Sequence, residues 1–428
     1  THDELVGQTN TYKATTDYDT AAEVAAIAAA TNVALQSITY NNLRENGATV
    51  DREKGEEVAD YAMNYKLKKD TSGNYIASEQ KNLAVYFYGD STSATKRAEF
   101  ATPDELVGQT NTYKATTDYD TAAEVAAIAA ATNVALQSIT YNNLRENGAT
   151  VDREKGEEVA DYAMNYKLKK DTSGNYIASE QKNLAVYFYG DSTSATKRAE
   201  FATPDELVGQ TNTYKATTDY DTAVEVAAIA AATNVALQSI TYNNLRENGA
   251  TVDREKGEEV ADYAMNYKLK KDTSGNYIAS EQKNLAVYFY GDSTSATKRA
   301  EFATPDELVG QTNTYKATTD YDTAAEVAAI AAATNVALQS ITYNNLRENG
   351  ATVDREKGEE VADYAMNYKL KKDTSGNYIA SEQKNLAVYF YGDSTSATKR
   401  AEFATPDELV GQTNTYKATT DYDTAAEV

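Results

Sequence analysis

The chain contains no cysteine, no tryptophan, one histidine (His2) and only four prolines among 428 residues. Without cysteine there is no disulfide framework and no thiolate metal site. With a single histidine outside the repeated pattern, the repeat offers neither an imidazole base nor a thiol nucleophile. Basic residues are also scarce: 41 Lys plus Arg stand against 65 Asp plus Glu, a formal charge of −24. That balance argues against nucleic acid as a partner, because neutralising phosphates requires basic patches. No glycine pattern of the P-loop or dinucleotide type occurs, and no Asn-x-Ser/Thr glycosylation acceptor is found.

What fills the chain is repetition. The string Asp-Glu-Leu-Val-Gly-Gln-Thr-Asn-Thr-Tyr-Lys begins at Asp3, Asp104, Asp205, Asp306 and Asp407, a period of 101 residues. The boundaries fall at 1–101, 102–202, 203–303 and 304–404, with a partial fifth copy at 405–428. Two positions depart from identity: His2 stands where later copies carry Pro103, Pro204, Pro305 and Pro406, and Ala22 becomes Val224 in the third copy. Solenoid units run about 20–50 residues, whereas a self-folding domain spans about 50–200. The expectation is therefore a string of abutting modules, each with its own small core. No Gly/Ser-rich linker separates them.

Within a copy, Thr20-Ala21-Ala22-Glu23 is a capping box, with a hydroxyl and a carboxylate placed to satisfy each other's free amides. A helix is expected from there to about Glu45, stopped by Asn46-Gly47. Val24, Ile27, Thr31, Leu35, Ile38 and Asn42 would share one face. The opposite face, Ala26, Ala29, Ala30, Val33 and Tyr40, is small and neutral. It suits either burial within the module or contact with a neighbouring module or fibre. Thr31, Asn32, Gln36, Ser37, Thr39, Asn41 and Asn42 interrupt the roughly 20 apolar residues that a membrane span needs.

The remainder reads as strands. Ala59, Tyr61, Met63, Tyr65 and Leu67 alternate with Asp60, Asn64 and Lys66. Asp70-Thr71-Ser72-Gly73-Asn74 forms a turn, returning through Tyr75-Ile76-Ala77. Leu83, Val85 and Phe87 alternate with Ala84, Tyr86 and Tyr88. Gly89 to Ser93 reads as a loop, Thr95–Phe100 and Thr9–Thr16 as weaker strands. Thr102-Pro103-Asp104-Glu105 predicts a short helical turn ending at Gly108. The fold class expected is α+β: one long helix packed on an antiparallel sheet in each module. A strand of one copy could complete its neighbour's sheet, with Thr413–Thr420 serving the fourth copy.

Few residues suggest chemistry. Glu53, Glu56, Glu57 and Asp60 cluster, and paired carboxylates can cleave glycosides, but such a run more often forms a solvated face. Asp17 and Asp19 could join a calcium site or simply favour a helix N-terminus. The 34 tyrosines suit packing with the hydroxyl near water, or exposed platforms for sugars and proteins. No catalytic, cofactor-binding or metal residue is assigned, and no enzyme activity is expected.

Long arrays of near-identical domains of about 100 residues, acidic and free of cysteine, resemble the stalks of bacterial surface adhesins, sometimes called periscope proteins. The resemblance lies in period and near-identity. It implies an extracellular rod that holds a binding domain away from the cell, with copy number setting reach. Neighbouring repeats, and laterally packed copies of the chain, would be its partners. Many such stalks are all-β, from which the expected helix departs. Related fibres carry Lys–Asn isopeptide cross-links; Lys13, Lys66 and Lys81, with Asn64 and Asn82, are the residues such chemistry would use here. The alternative is a multivalent binder with one weak site per copy.

Overall fold

The computed structural model describes residues 4–13, 20–29, 34–67, 69–70, 75, 79–90, 93–115, 121–130, 135–173, 176–191, 194–216, 223–231, 236–275, 277–291, 296–317, 324–332, 337–376, 378–392, 396–406 and 408–418. His2, Asp17, Asp19 and the turn at Thr71–Asn74 lie outside these.

The second copy shows the plan. An opening strand, Leu106–Lys114, pairs antiparallel with a second, Leu136–Asn143. The second pairs with a third, Val159–Lys170, and the third with a fourth, Tyr176–Asp191. The fourth then pairs with Leu207–Lys215, the opening strand of the third copy. The same step recurs at every junction, so one antiparallel sheet of 21 strands runs through all copies. At its far end Leu409–Lys417 pairs with Tyr378–Gly392 of the fourth copy; this includes the first part of the Thr413–Thr420 segment expected to complete that sheet, while Thr419 and Thr420 lie outside the described residues.

The α+β expectation is therefore corrected: the protein is mainly antiparallel β. The expected long helix is cut to Ala21–Ala29, and Leu35–Asn42 is a strand. The capping box does form, since Glu23 N donates to Thr20 Oγ1 at 3.3 Å and Thr20 N donates to Glu23 Oε2 at 2.9 Å. Beyond the helix, Ala34 takes a left-handed φ of 53°, which ends any helical path before the strand. Leu35, Ile38, Thr39 and Tyr40 are aliphatic, β-branched or aromatic, and such residues favour a pleated surface with neighbours on both sides. Here those neighbours are Gln8–Tyr12 and Val58–Tyr65.

Asn46-Gly47, read as a helix stop, instead lies in the four-residue loop of a short hairpin, Arg44–Glu45 against Val50–Asp51. Asn46, Gly47 and Ala48 all sit at positive φ (59°, 70° and 64°), and Asn-Gly is the pair that turns hairpins most readily. The junction Thr102–Glu105 forms a turn in which Thr102 N donates to Glu105 Oε2 at 2.9 Å. No helix follows it; the chain enters the opening strand at Leu106. Of Thr95–Phe100, only the start is strand (Ser93–Lys96), and Ala98–Phe100 is a 3₁₀ turn.

The main core lies across each junction. Tyr162, Met164, Leu184 and Val186 of the second copy pack on Tyr214, Val226, Ile229 and Leu237 of the third. The alternation read in the third and fourth strands thus faces the following copy's helix. The helix explains itself by the same contact: Val125, Val226 and Val327 are 0% exposed, but Val24, which has no such core packed beneath it in this structure, is 53% exposed. The Ala22-to-Val224 change points outward at 78% exposure, so it disturbs no packing.

A second, smaller core lies under the hairpin, where Val159, Tyr189, Ala199 and Ala202 meet. Tyr189 donates its hydroxyl to Ala160 O. Arg153 enters here with its side chain fully buried, and its Nη2 donates to Ala199 O and Ala202 O, both at 2.8 Å. Burial lowers the pKa of this guanidinium below its ordinary value, an effect opposed by Glu146 and Glu157.

Candidate functional surfaces

The carboxylate cluster does structural work. Glu57 accepts from Val6 N and Gly55 N, both at 2.9 Å, and the Val6 N–H leads in holding its pKa below the usual range. Glu56 Oε2 accepts from Glu53 N at 3.1 Å. Asp60 pairs with Arg97 at 2.7 Å, and that guanidinium lies 5.9 Å above the Phe87 ring. Among the described residues no group of three or more His, Cys, Asp or Glu is placed to hold a metal ion. No described helix is long and apolar enough to cross a membrane.

Tyrosines at recurring strand positions are packed. Tyr61 and Tyr88 are buried, and Tyr40 stacks on Tyr61 with ring centroids 4.8 Å apart, an arrangement repeated in all four copies. Burial pushes the Tyr61 phenol up to about 12, with Tyr40 and Asp60 adding to the shift.

Asn64 and Asn82 face each other across the third and fourth strands, Asn64 Nδ2 donating to Asn82 Oδ1 at 2.8 Å. Lys13, Lys66 and Lys81 turn elsewhere: each reaches an acid of the fourth copy, Asp306, Glu359 and Glu356 respectively. The structure thus does not assemble a Lys–Asn pair from these five residues. It assembles a contact between the first and fourth copies, which sequence reading missed. Two clefts lie along it. One, of about 460 Å³, is lined by Lys13, Tyr75, Lys81, Asp306, Arg355 and Glu356 among others. The second, of about 420 Å³, includes Lys66, Lys114, Glu348 and Phe403.

One exposed aromatic recurs in each copy: Phe100, Phe201, Phe302 and Phe403 are 57%, 58%, 57% and 56% exposed. Each lies against the glycine of its hairpin. A Cβ on Gly47 would come within 3.0 Å of the Phe100 ring.

No protein-family description and no curated protein matches this chain. Among solved structures, it is similar to a crystal structure of TcdB2-TccC3, with 10% identity and a TM-score of 0.17, over 85% of this chain and 23% of that one. The Tc holotoxin pore of Photorhabdus luminescens gives 9% identity and a TM-score of 0.10, over 84% of this chain and 21% of that one. The chain spans under a quarter of either. Likenesses this faint carry no argument about fold or activity.

Proposed function

We propose that this is a structural segment of an extracellular surface protein, a repeat-built β-ribbon whose extent is set by copy number. The observation behind this reading is the sheet itself: backbone pairing passes through every repeat junction without a break. Such a ribbon transmits load through main-chain hydrogen bonds and not through linkers. Near-identity of the copies fits the same role, since an element that supplies length has no need of distinct units. The negative charge, spread evenly along the copies, favours solubility.

The mechanics differ from a row of beads. Independent domains of this size would each add roughly 35 Å end to end, whereas a ribbon that brings its fourth copy back to its first gains far less per copy. Small-angle scattering on arrays of four, seven and ten copies tests this. Maximum dimension should climb by well under about 35 Å per added copy. Growth at the full bead length would overturn the ribbon reading.

A multivalent binder remains the second reading, and the recurrent exposed phenylalanine favours it. Binding of the four-copy chain to a glycan or protein panel, lost together in Phe100, Phe201, Phe302 and Phe403 alanine variants, would replace the structural reading.

A further inference from the structure

The first copy departs from its near-identical neighbours where the fourth copy touches it. In the second copy the third strand runs on to Lys170, which pairs with Tyr176, its amino group 4.7 Å from that ring. The third and fourth copies repeat this at Lys271–Tyr277 and Lys372–Tyr378. In the first copy Lys69–Asp70, the equivalent segment, pairs antiparallel with Val353–Asp354 of the fourth-copy hairpin. The same residues thus have two sets of partners, a local one and a distant one.

The hairpin records the contact too. Val353 is 8% exposed, while its counterparts Val50, Val151 and Val252 are 44%, 43% and 44% exposed. Around it, Lys66 Nζ lies 2.9 Å from Glu359 Oε1 with both side chains mostly covered, at 17% and 12% exposure. Lys81 lies 3.3 Å from Glu356, and Lys13 pairs with Asp306. Burial pushes the Glu356 carboxyl up, with Lys81 opposing the shift. Ion pairs in full solvent contribute little, but Lys66–Glu359 and Lys81–Glu356 are partly shielded, and all are joined by strand pairing and a covered valine.

Elsewhere the matching lysines stand open. Lys167 and Lys182 of the second copy, and Lys268 and Lys283 of the third, are exposed. They sit on the edge that in the first copy is occupied.

We propose that the lysine-bearing strand tips of each repeat form a docking surface for the hairpin edge of the repeat three positions along the same polypeptide, and that this self-recognition coils the ribbon at about three repeats per turn. The partner is chosen by three matched features: lysines against Asp306, Glu356 and Glu359; two strand residues against Val353–Asp354; and an apolar side chain that only docking covers. The inference goes beyond the structural role and holds whatever the segment carries.

Because the chain has no cysteine, one engineered disulfide can report on it. In the full chain, D70C with V353C should oxidise to an intramolecular cross-link, seen as a faster band on a non-reducing gel. D70C with V151C presents the same hairpin position on the second copy and should not. Adding K66E and K81E to the first pair should suppress the cross-link, and further adding E356K and E359K should restore it. Salt near 1 M, where the screening length is about 3 Å, should slow it. Circular dichroism confirms that each variant keeps its strands. Equal cross-linking of the two cysteine pairs, or none in either, would overturn the proposal. So would charge reversal without effect in a variant that retains its strands.

Discussion

Truncating one valine at two places in the array gives a direct measure of where the core lies. Val226 is fully buried among Tyr162, Met164, Leu184 and Val186 of the preceding copy, whereas Val24 has no such core against it in this chain and is 53% exposed. Val226→Ala removes two methyl groups from a closed core, worth about 0.8 kcal/mol each in transfer. A residual void of roughly 30 Å³ would add about 0.7 kcal/mol. Alanine returns about 0.5 kcal/mol as the better helix former. The net loss is about 2 kcal/mol, a shift of about 1 M in urea midpoint for a slope near 2 kcal/mol/M. Val24→Ala keeps the propensity gain and loses almost no burial, so its midpoint should stay within about 0.3 M of the parent. Urea titrations followed by circular dichroism on the full chain would show the difference. Equal shifts for the two variants would refute the reasoning, because they would mean that each helix packs within its own copy.

Three further outcomes follow from the same repetition. Gly108→Ala places a Cβ 2.1 Å from that of Ala94, while in the first copy a Cβ on Gly7 meets only Leu43 Cδ1 at 3.5 Å; thermal melts should show a cost of about 1–3 kcal/mol for the former and nearly none for the latter. Arg254→Ala strips the donor from Ala300 O and Ala303 O, each 2.8 Å from Nη2, and should cost about 2 kcal/mol or more by the same titration, the penalty of leaving two buried carbonyls without that donor. At alkaline pH the neutral phenol of Tyr61 is the form the fold favours. Its raised pKa therefore contributes stability that is complete below the ordinary value of 10.0 and lost as pH climbs through about 12. Absorbance at the tyrosinate band should show a late class ionising together with loss of strand signal; ionisation of every tyrosine in one step near the ordinary value, with the strands intact, would contradict this.

Some of this was legible in the residues and some was not, for physical reasons. The alternation of Tyr61 and Met63, and of Leu83 and Val85, identifies two strands because a period of two has no helical equivalent over that length. The Thr20–Glu23 box is local chemistry and appears where expected. Leu35, Ile38 and Asn42 misled because their spacing satisfies a helix, while the strand that forms depends on partners remote in sequence. Asn46-Gly47 serves helix ends and hairpins alike. The partner of each core face was hidden by the near-identity of the copies: a pattern that fits a residue's own copy fits the next one equally well. The first-to-fourth contact was hidden for the same reason, and because Lys66, Lys81, Glu356 and Glu359 look like solvated charges until the ribbon bends. The recurrent Phe100 signalled nothing in the sequence beyond a strand residue.

The unbroken sheet also bears on how such a chain changes over generations. A pearl necklace can be cut only between pearls, but a ribbon that looks the same from every strand has no privileged place to cut. Recombination between misaligned copies, wherever it falls inside the 101-residue period, rejoins a strand to a neighbour identical to the one it lost. Insertions and deletions of whole periods would therefore leave every internal junction as it was. For this gene segment, copy number can drift while the strand pairing at each internal junction stays as it was.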